Sequence, residues 1–71
     1  MEDKLIQFIK DNIDIEKARH VYSKMVICRC SLDYQDINLY NTINELINNY
    51  CLKNNIENTY KVYIIFEKLF S

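Results

Sequence analysis

Three cysteines and one histidine are the residues whose types could hold a metal ion. Cys28, Cys30, Cys51 and His20 all carry side chains that bind zinc in other proteins. Structural zinc sites usually separate neighbouring cysteines by two residues or more, whereas one residue separates Cys28 from Cys30. On a helix, side chains two positions apart diverge by about 200°. We therefore expect reduced, half-buried thiols and no metal site.

Catalytic chemistry has little basis in this sequence. His20 is the single histidine, and no serine, cysteine or carboxylate stands at a motif spacing that would make it a general base. A glycine-rich phosphate loop is excluded because the chain contains no glycine. We expect a protein that is not an enzyme, with no cofactor and no small-molecule substrate.

Length and charge narrow the class of protein. With 71 residues the chain forms one domain. A core of that size gives only marginal stability unless a cross-link, a bound metal or a partner adds to it. The net charge is −1 and the basic residues are scattered singly, which disfavours a dedicated nucleic-acid protein. The longest apolar run, 62–66, is far too short to cross a membrane. An odd cysteine number favours the cytoplasm or another reducing compartment.

Apolar residues recur at helical spacing in four segments, which predicts an all-α fold of two antiparallel hairpins. Asp14 is a good N-cap for the second segment, and Asp36 is the candidate cap for the third. Asn54 and Asn55 predict the turn before the last helical segment, 56–70, since asparagine tolerates the left-handed conformation. The predicted units are hairpin 1 at about 2–28, a linker at 29–36 and hairpin 2 at about 37–70.

A rival interpretation places two short strands in the chain. Residues 24–30 and 60–66 are rich in apolar and β-branched side chains, and a short apolar run does not distinguish a strand from a helix by its period alone.

Two stretches of the sequence align without gaps at an offset of 41 residues. Leu5-Ile6 corresponds to Leu46-Ile47, and Ile15-Glu16 corresponds to Ile56-Glu57. Repeats of this length are typical of α-hairpin solenoids.

The two stretches also resemble the pentatricopeptide-repeat family and the related tetratricopeptide repeats. The run IEKARHVYSKM at 15–25 is similar to that family's second helix, and LINNYC at 46–51 is similar to the end of its first helix. The period here is longer than the family's, Thr59 replaces the small residue of the second unit, and the turn glycine is missing. The resemblance implies two stacked hairpins, a short α-solenoid, with a possible RNA contact on or near Asn44.

The last segment is apolar nearly all round, which is typical of a helix covered on both sides. Nothing follows it in a two-hairpin protein, so we expect it to contact a protein partner or a second copy. The candidate partner-binding residues are Tyr60, Tyr63, Ile65, Phe66, Leu69 and Phe70.

These observations favour a small adaptor or complex subunit that docks on a larger protein through its C-terminal helix. One alternative is an RNA-binding repeat protein or ribosome-associated factor, which the family resemblance suggests. Another is a viral or phage inhibitor of a host protein, because Ile, Asn, Lys and Tyr make up 33 of 71 residues and these are encoded by A/T-rich codons.

Overall fold

The computed structural model describes residues 2–28 and 32–70, which contain four α-helices. The helices are α1 Glu2–Asn12, α2 Ile15–Ser23, α3 Tyr34–Lys53 and α4 Val62–Phe70. A π-helical turn, Lys24–Cys28, continues α2. The predicted all-α class is confirmed, and the described residues contain no strand. The rival strand interpretation is therefore wrong at both of its sites, as far as the structure describes them.

The start of α2 follows from a single aspartate. The Asp14 carboxylate accepts the backbone N–H groups of Glu16 at 3.0 Å and Lys17 at 3.2 Å. These donors belong to the first helical turn, where no carbonyl is available to them. The predicted N-cap is thus confirmed.

The third helix begins at Tyr34, inside the stretch predicted as a linker, and its N-cap is Asp33 instead of Asp36. The Asp33 carboxylate accepts the N–H of Asp36 at 2.9 Å, and the Asp36 carboxylate accepts the N–H of Asp33 at 3.1 Å. This reciprocal pair is a capping box. It satisfies two donors at once, which explains why the helix starts one turn earlier than a cap at Asp36 would allow.

A Schellman motif ends α3. The N–H of Ile56 donates to the carbonyl of Cys51 at 2.9 Å, and the N–H of Asn55 donates to that of Leu52 at 3.3 Å. Asn55 has φ of 55°, the left-handed value that this motif requires. The predicted asparagine turn is confirmed. The following residues, 56–61, lie outside any helix, so the last helix is shorter than the predicted 56–70.

One apolar core joins the four helices. The first helix packs against α3 and α4, and α4 also packs against α2 and α3. Ala18 of α2 is fully buried in this core. None of the helices in the described ranges is both long and apolar enough to cross a membrane. The core residues are Leu5, Ile9, Ala18, Val21, Ile43, Ile47, Cys51, Val62, Ile65 and Phe66.

Ring contacts show how α2 meets α4. The Tyr22 ring lies 6.1 Å from that of Phe66, and the Arg19 guanidinium lies 5.7 Å from the centre of the Phe70 ring. The Tyr22 ring also lies 5.5 Å from that of Phe70, so α2 packs against the second half of α4. The division into two stacked hairpins at 2–28 and 37–70 stays a prediction.

Candidate docking surface on the C-terminal helix

The inner face of α4 is sealed by the rest of the chain. Val62, Ile65 and Phe66 follow the spacing of one helical face, and all three are buried in the core. Ile65 and Phe66 were expected to contact a partner, and that expectation is corrected here. Because α4 packs among the other three helices, these two side chains are covered by the chain's own core and are inaccessible to another molecule.

The end of α4 is half covered by α2. Leu69 and Phe70, both expected at the partner surface, are half-buried. The Phe70 ring lies 5.5 Å from Tyr22 and 6.1 Å from Phe66, in tilted arrangements that aromatic rings favour. The Arg19 guanidinium over Phe70 adds a cation–π contact. These contacts hold the last turn of α4 against α2 and leave only part of it open to solvent.

The outer face of α4 keeps apolar surface in contact with water. We use the name α4 outer face for Tyr63 and Ile64. Tyr63 is 45% exposed and Ile64 is 40% exposed, whereas Tyr60, just before the helix, is half-buried and packs against the core. Ile64 was absent from the predicted site residues, although a helix running from residue 56 would have put it on the same side as Tyr60, four residues earlier.

The Tyr63 side chain is held by its own helix. Its hydroxyl forms a hydrogen bond with the Glu67 carboxylate, four residues later. This hydrogen bond, together with the negative charge of Glu67 and a smaller effect of burial, raises the pKa of Tyr63 above its ordinary value. At neutral pH the phenol is therefore protonated and donates to Glu67.

A polar cleft of about 390 Å³ lies between α2 and the start of α3. At its centre, the Lys24 ammonium contacts the Asp36 carboxylate at 2.7 Å and Asp33 at 3.6 Å. His20 lines the cleft and is exposed. The complete lining is Glu16, Lys17, His20, Val21, Lys24, Asp33, Gln35, Asp36 and Leu39.

The charges at the centre of this cleft are matched to one another. The hydrogen bond between Lys24 and Asp36 is the largest influence on both groups, raising the pKa of Lys24 and lowering that of Asp36. Both effects favour the charged forms. Asp36 is only 6% exposed and also takes part in the capping box. We interpret this cluster as a clamp that fixes the π-helical turn to the start of α3.

The candidate metal ligands do not come together in the described part of the chain. Cys51 is a free thiol buried in the core, whereas His20 is exposed on the cleft. Cys30 and the side chain of Cys28 lie outside the described residues. Within residues 2–28 and 32–70, no group of three histidine, cysteine, aspartate or glutamate side chains is close enough to hold a metal ion.

The predicted RNA contact, Asn44, is exposed in the middle of α3. It lies outside the polar cleft.

Comparisons with known proteins identify no relative of this chain. No family model matches the chain, and neither the curated proteins nor the solved structures include one with significant similarity to it.

Proposed function

We propose that this protein is a non-catalytic interaction module that docks on a larger protein through the α4 outer face. The exposed side chains of Tyr63 and Ile64 carry the proposal, because they are adjacent apolar groups on a helix whose other face is anchored in the core. Aromatic residues supply a large share of the binding energy at protein interfaces. A rigid helix presents them at a fixed spacing.

The charges at the centre of the polar cleft support the non-catalytic part of the proposal. Lys24 and Asp36 are bound to each other, and both are held in their charged states. A general acid or base at neutral pH requires a pKa close to neutrality, and these two groups are shifted away from it. Their arrangement suits a structural ion pair.

The docking surface is tested by affinity capture with the full chain as bait, from an extract of the cells that produce it. Ile64→Asp places a charge in the α4 outer face, and we expect at least a tenfold loss of the captured partner, as for an interface hot spot. Tyr63→Ser removes the neighbouring ring without adding a charge and should also weaken capture. Quantitative mass spectrometry of the bound fraction measures both effects.

The matched control is Leu52→Asp, which changes an equally apolar side chain that is 81% exposed near the end of α3. Capture by this variant should equal that of the unmodified protein. Circular dichroism must show that all the variants remain folded. A partner retained equally by the folded Ile64→Asp and Tyr63→Ser variants would overturn the proposed surface.

A second candidate function is RNA binding, and the exposure of Asn44 supports it. Titration with short single-stranded RNA at several salt concentrations separates the two functions. If phosphate groups are contacted, the affinity should fall as the salt concentration rises. If no RNA binds with a Kd below about 10 μM, this candidate function is excluded.

A further inference from the structure

A second cleft, of about 400 Å³, lies on a different part of the molecule from the α4 outer face. It is formed where the first half of α1 meets the end of α3. Its lining residues are Lys4, Phe8, Asn49, Tyr50, Lys53 and Asn54. We use the name α1–α3 cleft for this set. It shares no residue with the polar cleft or with the α4 outer face.

Two aromatic rings form the apolar part of the α1–α3 cleft. Phe8 and Tyr50 are both half-buried, and their ring centres are 5.5 Å apart. The ring planes are inclined at 43° to each other, so the rings form a shallow wedge. The two rings touch each other, so an apolar side chain does not fit between them but can rest across the exposed parts of both. A flat nucleobase can lie parallel to one of the rings only, which loses part of the stacking energy.

The polar part of the cleft is positively charged. Lys4 and Lys53 line it, and no acidic side chain does. Within the described residues, neither ammonium forms an ion pair. Both groups lie near the end of α3, where the helix dipole contributes a partial negative charge of about one half. Two full positive charges outweigh that partial charge, so the cleft attracts anions although the whole chain carries a net charge of −1.

From this combination we propose that the α1–α3 cleft binds a short acidic segment of a protein, with one apolar side chain resting across the exposed parts of the two rings and carboxylates at Lys4 and Lys53. The Asn49 side chain is exposed at the same place and can form hydrogen bonds with the backbone of such a segment. The charge complementarity selects the acidic partner, and the wedge selects a peptide over a nucleotide. This site is independent of the α4 outer face.

The proposal is tested by NMR titration of the full chain with a pentapeptide in which one phenylalanine is flanked by two glutamates on each side. We expect shift changes at Phe8 and Tyr50 and a Kd on the order of 0.1–1 mM, a weak affinity that suits a small site. Raising the salt concentration should weaken binding, because exposed charges are screened. Replacing the peptide's phenylalanine by glycine, or its glutamates by lysines, should weaken binding at least about fivefold.

Protein variants supply the matched controls. Lys4→Glu should reduce peptide affinity at least about fivefold, whereas Lys10→Glu, the same charge change on the same helix outside the cleft, should have little effect. Ile64→Asp should leave peptide binding unchanged. The proposal for this cleft and the proposal for the α4 outer face can therefore be contradicted independently of each other. Equal binding of the lysine peptide, absent shifts at Phe8 and Tyr50, or tighter binding of adenosine monophosphate or a uridine oligonucleotide would overturn the proposal.

Discussion

At the scale of single residues, the contact between Lys24 and Asp36 joins two segments that lie 12 residues apart in the sequence. Lys24 belongs to the π-helical turn after α2, and Asp36 belongs to the first turn of α3. The Asp36 carboxylate accepts from the Lys24 ammonium and from the Asp33 backbone. The Asp36 side chain thus takes part both in the capping box of α3 and in the contact with Lys24, so its protonation should lower the stability of the fold.

Stability should fall in acid partly because of Asp36. Its pKa is lower in the folded protein than the ordinary value of 3.8, so the stabilisation is complete above pH 3.8 and is lost as pH falls towards the lowered value. We expect Asp36→Asn to lower Tm at neutral pH and to show a smaller further decrease between pH 7 and pH 3 than the unmodified protein. Thermal unfolding followed by circular dichroism measures both quantities.

Glu45→Gln is the control for this prediction, because Glu45 is an exposed carboxylate on the same helix. Its Tm at neutral pH should match that of the unmodified protein. Lys24 makes stability depend on pH in the opposite direction. Its raised pKa means that it stabilises the fold below pH 10.5, and this stabilisation is lost as pH rises through the raised value. An Asp36→Asn variant with an unchanged acid dependence would show that the clamp contributes little.

At the scale of elements, the end of α3 depends on one left-handed residue. Asn55 adopts φ of 55° in the Schellman motif. Alanine in that conformation is disfavoured by the contact between Cβ and the following carbonyl, so Asn55→Ala should lower the free energy of unfolding by about 1 kcal/mol. Asn55→Gly should retain the stability, because glycine adopts this conformation without a steric cost. Urea denaturation measures the difference.

Asn41→Ala is the matched control, since it makes the same change at an exposed position inside α3. Alanine has the higher helix propensity, so stability there should be unchanged or slightly raised. Equal stability of Asn55→Ala and Asn55→Gly would show that the motif is not fixed by residue 55.

Local signals in the sequence predicted some helix ends and not others. Asp14 was predictable because a single capping residue precedes the apolar spacing of α2. The start of α3 was not, because Asp33 and Asp36 are equally good caps and only the reciprocal hydrogen bonds decide between them. The start of α4 was missed because Ile56 and Tyr60 continue the helical spacing, although these residues follow the Schellman turn outside any helix.

At the scale of the whole molecule, the sequence of α4 could not show which of its faces is buried in the chain's own core. An apolar residue pattern that extends nearly all round a helix shows that the helix is covered, but it does not show which face meets the chain's own core. The structure assigns Ile65 and Phe66 to the core and leaves Tyr63 and Ile64 in contact with solvent. The partner contact predicted for α4 is thereby limited to its outer face.

Helix α4 is therefore folded and anchored by its own chain, and its outer face is the part available to a partner. Helix α4 contacts each of the other three helices. A helix held in this way should unfold together with the helices that cover it, even when no partner is present.

Amide hydrogen exchange of the purified protein at low concentration tests this claim most directly. We predict that the amides of the second half of α4, from Phe66 onwards, exchange as slowly as those in the centre of α3, because both open only when the core opens. Rapid exchange throughout α4, with α1 and α3 still protected, would contradict the account. It would mean that the last helix requires another molecule to fold.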